Sequence, residues 1–186
     1  LRECHELGKE LIVESRCEQL TEEKLSWATS INPSFTVAIG LEAYDDEVLR
    51  FHVNKGFTTK SWDRAVENLR KFNLRIKTYL MFKPPFMSEK DALDHGVRWI
   101  KDVAGRSDEI SVNPMNIQRG TVIDRLHRHN EYRPPWLWSL VEMIKQAHPH
   151  IYPDGGVNGS PDQVCRLIVH PTLSLIHISE PTRPMN

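Results

Sequence analysis

Short apolar runs alternate along this chain with longer segments in which apolar side chains recur at helical spacing. Four runs are predicted to be buried strands, at residues 11–13, 36–41, 76–82 and 110–112, and a further strand is considered at 165–170. Because strands and helices alternate in this way, we predict an α/β fold in which helices cover a parallel sheet.

The helical segments begin at residues that are suited to cap a helix. Thr21, Ser61 and Ser88 each precede an apolar stripe with the spacing of a helix, so they are predicted to be N-caps. Pro134 and Pro135 are predicted to start the last helix, because proline fits the first helical turn.

The composition is that of an ordinary globular domain. The chain has 186 residues and a formal net charge of −1, so no strong overall field draws it to nucleic acid or to a membrane. No apolar run approaches the ~20 residues that span a bilayer. Its three cysteines, Cys4, Cys17 and Cys165, have no regular spacing, which argues against a disulfide framework and favours a cytoplasmic location.

Both ends of the chain suggest a piece of a longer protein. Residues 173–183 (LSLIHISEPTR) match the translation of a transposase adapter used in sequencing libraries. We therefore expect residues 1–172 to be the native part and 173–186 to be an adapter-derived tail. The first residue is Leu1 rather than methionine, which suggests truncation there as well.

Polar side chains lie at the ends of the predicted strands. They are, from the first strand to the fourth, Glu14, Glu42, Lys83 and Asn113. In parallel α/β folds the carboxyl ends of the strands meet at one edge, where ligands bind. Carboxylates together with a cation at such an edge would suit a small zwitterionic ligand, whose ammonium and ribose hydroxyls would meet carboxylates and whose carboxylate would meet the cation.

Glu14, and Lys55 in the loop after the second strand, also have simpler interpretations. Glu14 could form a surface ion pair with Arg16. Lys55 is a candidate cation for the site, but a lysine before a glycine, here Gly56, is also common at the end of a helix.

Lysine and metal chemistry were also considered. Lys77 or Lys83 could form a Schiff base in an aldolase-like barrel. The nine histidines show no tight metal spacing, and the cysteines do not form the C-x3-C-x2-C motif of an iron–sulfur site, so no metal ligands are predicted in this chain.

A basic and aromatic segment covers residues 119–138. Cations can hold phosphates and aromatic rings can stack on bases, so an RNA-binding module is one reading, and a solvated helix face followed by a core helix is the other. The residues concerned include Arg119, Tyr132, Arg133, Trp136 and Trp138.

Several stretches together resemble a known family. They are residues 14–16 (ESR), 37–42 (VAIGLE), 54–58 (NKGFT), 83–86 (KPPF), 113–121 (NPMNIQRGT) and 132–138 (YRPPWLW). In this order they resemble the second half of the catalytic core of radical S-adenosylmethionine (SAM) enzymes. The branch is the one that includes the elongator-type tRNA acetyltransferases, and within it the chain is most similar to the radical SAM proteins of archaeosine biosynthesis.

The resemblance implies an incomplete parallel (β/α) barrel, roughly the second half of a radical SAM partial TIM barrel. It implies that SAM and a [4Fe–4S] cluster are the cofactors, with the cluster ligands outside this chain, so that the fragment alone would be inactive. It assigns Glu14, Glu42, Lys55 and Asn113 to SAM binding and Arg119 and Arg133 to the substrate, while the catalytic residues are unknown.

The implied reaction belongs to tRNA modification. A partner enzyme transfers lysine to a 7-deazaguanine in tRNA, and radical cleavage of the lysine C–N bond then completes archaeosine. The alternatives within this resemblance are other tRNA-acting radical SAM enzymes, namely an elongator-type acetyltransferase or a methylthiotransferase.

Overall fold

Five parallel strands form one sheet, and each strand lies beside the next strand along the chain. The computed structural model describes residues 1–151 and 165–169. The strands are β1 (Ile12–Ser15), β2 (Thr36–Glu42), β3 (Arg75–Phe82), β4 (Glu109–Pro114) and β5 (Arg166–Val169).

Helices connect the strands. They are α1 (Arg2–Glu6), α2 (Glu22–Ile31), α3 (Thr59–Lys71), α4 (Glu89–Ala104), α5 (Val122–Arg128) and α6 (Leu137–Ile151). Two further short helical turns lie between a strand and the helix that follows it: a 3-10 turn at Cys17–Gln19, between β1 and α2, and a π-turn at Val48–Val53, between β2 and α3. The strand order follows the chain order, and right-handed crossovers then place the helices on one face. This is the arrangement of a partial (β/α) barrel, so the predicted fold class is confirmed.

The core lies between the sheet and the helices. On β3, Ile76, Leu80 and Phe82 are each no more than 2% exposed. Trp62 of α3 and Trp99 of α4 are also buried there. The alternate β3 residues point to the opposite, concave face, because side chains alternate along a strand.

Two of the predicted helix starts are confirmed, whereas the last helix begins at Leu137, two residues after Pro135. Thr21 and Ser88 cap α2 and α4, and each hydroxyl accepts a hydrogen bond from a backbone N–H three residues later. The prediction for Ser61 is wrong, because α3 begins earlier and its cap is Thr58. Ser61 instead closes a capping box: its hydroxyl accepts a hydrogen bond from the Thr58 N–H at 3.5 Å.

Some predictions fall outside the described residues. These are the end of the predicted strand at 170, the native boundary at 172 and the adapter-derived tail at 173–186. The domain boundary therefore stays a prediction. Within the described ranges, no helix is long and apolar enough to cross a membrane.

Candidate functional site at the carboxyl edge of the sheet

A cavity of about 660 Å³ opens at the carboxyl edge of the strands. It is lined by Glu14, Ser15, Arg16, Ala38, Gly40, Glu42, Lys55, Tyr79 and Asn113. All four residues assigned to SAM binding from the sequence therefore line one cavity. Because they come from β1, β2, the loop after β2 and β4, only the folded sheet brings them together.

The central feature of this cavity is an ion pair between Lys55 and Glu42. The Lys55 Nζ lies 2.9 Å from the Glu42 Oε1, and the two side chains are 19% and 18% exposed. The two opposite charges stand side by side at the cavity wall, as a zwitterionic ligand requires.

Unusual backbone geometry positions both members of the pair. The pairing of β2 with β3 shifts register between Gly40 and Glu42, and Glu42 has a φ of 73°. A non-glycine residue in the left-handed region is uncommon and is often found at a functional site. Lys55 follows the π-turn, which ends at Asn54 with a φ of 53°, so Lys55 is not itself the helix cap.

Gly40 leaves room for the pair. A Cβ at this position would lie 3.0 Å from the Glu42 Oε1 and 3.1 Å from the Lys55 Nζ. Both distances are closer than side chains normally approach, so a larger residue would displace the two charges.

Glu14 has a partner that the sequence did not reveal. The Tyr79 hydroxyl donates a hydrogen bond to the Glu14 Oε1 at 3.1 Å. Burial raises the pKa of Tyr79, and the hydrogen bond to Glu14 raises the pKa further, so the phenol remains a neutral donor. The tyrosine is paired with Gly40 across the sheet. That pairing depends on strand register, which no local pattern specifies.

The alternative ion pair between Glu14 and Arg16 is not formed. Arg16 instead pairs with Glu18 at 2.8 Å and donates a hydrogen bond to the Lys55 carbonyl at 3.1 Å. Arg16 thus ties the end of β1 to the loop that carries Lys55.

The predicted substrate residues lie away from this cavity. Neither Arg119 nor Arg133 lines it. A second cavity of about 470 Å³ shares Asn113 and includes Gln118, the neighbour of Arg119. The Arg133 guanidinium stacks on the Trp136 ring, 4.0 Å from its centroid.

The two lysines considered for Schiff-base chemistry are engaged in other contacts. The Lys83 Nζ lies 2.6 Å from the Glu89 Oε2 and donates a hydrogen bond to the Arg133 carbonyl at 2.8 Å. Lys77 forms an ion pair with Glu109 and does not line the main cavity. Neither amine is therefore presented to a ligand in that cavity.

The described cysteines are dispersed. Cys17 follows the carboxyl end of β1, whereas Cys165 precedes the amino end of β5, so the two lie at opposite edges of the sheet. Burial is the main cause that raises the pKa of each of these thiols to about 12. In the part of the chain that the structure describes, no group of three or more metal-binding side chains is found.

Comparisons with known proteins agree with the resemblance seen in the sequence. No protein-family model matches the chain. However, the chain is 41% identical over 146 residues to archaeosine synthase subunit beta from Methanosarcina acetivorans, which covers 76% of this chain and 42% of that protein. Over these residues the chain is similar in sequence to archaeosine synthase subunit beta.

A second archaeosine synthase subunit beta, from Thermococcus kodakarensis, is 40% identical and covers 73% of this chain and 43% of its own length. The chain therefore spans less than half the length of these relatives.

The fold has a solved counterpart. Elp3 from Methanocaldococcus infernus, with its N-terminal residues 1–46 deleted, superposes with a TM-score of 0.67 at 17% identity. The match covers 85% of this chain and 34% of that one. The resemblance expected from the sequence is thus confirmed in two respects: the sequence is similar to archaeosine synthase subunit beta, and the fold is similar to that of Elp3.

Proposed function

We propose that this chain is part of a radical SAM enzyme that modifies tRNA, acting in archaeosine formation by radical cleavage of a C–N bond in a lysine-modified 7-deazaguanine. The two relatives, both archaeosine synthase beta subunits, support the assignment to archaeosine formation. The observation that carries the cofactor assignment is the convergence of Glu14, Glu42, Lys55 and Asn113 in one cavity. The proposed partners are tRNA and the enzyme that transfers lysine to it.

The cavity fits the methionyl end of SAM. Its volume of about 660 Å³ lies in the usual range for small-molecule sites. The Glu42 carboxylate would accept hydrogen bonds from the ligand ammonium, and the Lys55 ammonium would bind the ligand carboxylate. Gly40 has no Cβ, so the space beside both charges is open. A ligand that binds both charges needs this open space.

The remaining polar groups of the cavity suit a nucleoside. The Glu14 carboxylate could accept hydrogen bonds from ribose hydroxyls while Tyr79 holds its orientation through their 3.1 Å hydrogen bond. Asn113, at the end of β4, offers an amide donor and acceptor for adenine. Bound beside a reduced [4Fe–4S] cluster that donates one electron, SAM would supply the radical that abstracts hydrogen from the substrate.

The SAM assignment is tested by binding rather than by turnover. Glu42→Gln removes one charge of the pair and leaves Lys55 without its carboxylate. We expect equilibrium dialysis with labelled SAM to show binding about tenfold weaker or worse, in line with the loss of a charge-assisted contact. The matched control is Glu22→Gln, which breaks a more exposed ion pair, with Lys71, and should leave SAM binding unchanged. Equal binding by the Glu42→Gln variant and the unaltered chain would remove Glu42 from the site.

The cluster is proposed to be held by residues that this chain does not contribute. Cys17 and Cys165 are buried at opposite edges of the sheet, and neither lines the cavity. We therefore expect anaerobic iron–sulfur reconstitution of this chain to give no visible cluster absorbance and no turnover. A brown protein whose colour is lost in a Cys17→Ser variant would contradict this.

A further inference from the structure

Two exposed aromatic rings stand on the loops that follow β2 and β3. Phe51 and Phe86 are each 63% exposed, although most large apolar side chains of this chain are buried. His52 follows Phe51 in the loop after β2, and its ring meets the Phe86 ring edge-on with 6.1 Å between centroids. We refer to Phe51, His52 and Phe86 as the aromatic rim.

The rim is held in place by its backbone. Phe86 has a φ of 64°, a left-handed conformation that is costly for a bulky residue. The His52 Nδ1–H donates a hydrogen bond to the Pro85 carbonyl at 2.7 Å, which fixes one loop to the other. Phe51 lies in the π-turn, a distortion that is frequent at functional sites. Backbone strain and a hydrogen bond between the two loops thus fix the positions of these rings, although the rings are exposed and add little to the buried core.

The rim lies at the same edge of the sheet as the main cavity. Both of its loops begin where a strand ends, and the β2 loop continues from His52 to the cavity residue Lys55. The carboxyl ends of parallel strands share one edge. The rings and the cavity mouth are therefore on the same edge of the sheet.

The charge beside the rim points to the chemistry of its occupant. The Arg50 guanidinium lies 5.0 Å from the centroid of the Phe51 ring. Exposed aromatic rings next to a cation are suited to bind a nucleotide. Any base can stack on an aromatic ring, and the cation can bind the phosphate of the nucleic-acid backbone.

We propose that the aromatic rim stacks an unpaired base of the RNA substrate beside the cavity mouth. This rests on the proposed function in one respect, that the substrate is an RNA. The rim adds residues that the basic segment at 119–138 does not include, and it would hold a nucleotide outside its helix close to the reacting site.

The test is binding of an in vitro transcribed tRNA to the unaltered chain and to single variants, measured by filter binding at low salt. Loss of a stacking ring should weaken binding about tenfold to a hundredfold, so Phe51→Ala and Phe86→Gly should both do so. Glycine is chosen at position 86 because it tolerates the left-handed backbone. The matched control is Trp27→Ala, which removes an equally exposed ring, 65% exposed, from α2 and should change nothing.

A second pair of variants separates stacking from apolar burial. Phe51→Trp should keep full binding, whereas Phe51→Leu should lose it, because leucine has no face on which a base can stack. Full binding by the leucine variant would overturn the inference in favour of an apolar partner. Each variant is first shown to unfold at the same denaturant concentration as the unaltered chain.

The outcomes distinguish this inference from the proposed function. Binding of tRNA that is unaffected by Phe51→Ala and Phe86→Gly overturns the rim and leaves the proposed function intact. If the unaltered chain binds SAM but no tRNA, the rim is again overturned. If it binds tRNA through the rim but binds no SAM, the cavity assignment fails and the rim stands.

Discussion

On the helix-covered face of the sheet, β3 contributes Ile76, Leu80 and Phe82, which are almost completely buried among apolar side chains. On the concave face, the same strand contributes Lys77, paired with Glu109, and Tyr79, hydrogen-bonded to Glu14. A barrel interior is ordinarily filled by branched apolar residues. The polar character of the concave face therefore has to be explained by what it binds, whereas the apolar face is explained by folding alone.

This difference separates stability from function. Substitutions on the helix-covered face should act mainly on the free energy of unfolding. Substitutions on the concave face should act mainly on ligand binding, with small effects on unfolding. Three experiments, taken in order of decreasing effect on stability, test whether the two faces differ in this way.

The largest effect is expected for Phe82→Ala. This side chain is 1% exposed and packs against Gly96 of α4, so its removal should leave a cavity and lower the free energy of unfolding by about 3–5 kcal/mol. Tyr79→Phe, on the opposite face of the same strand, removes only a hydroxyl and should cost about 1 kcal/mol. Urea unfolding measures both, and comparable losses would show that the two faces do not differ.

The next effect appears only at alkaline pH. Burial and the hydrogen bond to Glu14 raise the pKa of Tyr79 in the folded state. The contribution of Tyr79 to stability is therefore complete below the unfolded pKa of about 10, and it is lost as the pH rises through the folded pKa. The Tyr79→Phe variant cannot lose this contribution, so its deficit in unfolding free energy should stay constant up to about pH 10 and shrink over the range above that pH. A deficit that stays constant over that range would show that the pKa is not raised.

Glu14→Gln provides the check on the cause of that shift. Without the carboxylate, the pKa of Tyr79 should fall only part of the way to its ordinary value, because burial is the larger cause. Spectrophotometric titration of the unaltered chain, Tyr79→Phe and Glu14→Gln gives this value by difference.

The smallest effect on stability is expected for Gly40→Ala. Its Cβ would press on the flexible ends of Glu42 and Lys55, which can move away, so the free energy of unfolding should change by less than about 1 kcal/mol. SAM binding should nevertheless weaken, since the two charges are displaced. Gly96→Ala makes the same substitution on the other face, where the Cβ would lie 3.0 Å from the Met143 sulfur, and it should leave SAM binding unchanged. Weakened SAM binding in both variants would contradict the separation of the two faces.

Much of the architecture could be predicted from local pattern. Apolar runs located four strands to within one or two residues of their observed ends, and Thr21 and Ser88 were identified as caps because capping depends on a few neighbouring residues. Ser61 was misassigned because Thr58, three residues earlier, caps equally well and lengthens the helix. The seven-residue helix α5 (Val122–Arg128) was predicted only as one of two interpretations of residues 119–138, since a segment that short carries little periodicity.

For the site, the sequence determined which chemical groups lie at the end of each strand, because a polar residue that follows an apolar run can be recognised from the sequence alone. It also determined that Glu14, Glu42 and Asn113 would share one edge, since parallel strands end together. Only the tertiary structure decided that Tyr79 holds Glu14, that Lys55 pairs with Glu42 beside Gly40, and that the His52 ring meets the Phe86 ring. These contacts depend on strand register, on a residue in the left-handed conformation and on a hydrogen bond between two loops. The local sequence does not specify them, because they join residues that are far apart in the chain or follow from unusual backbone geometry.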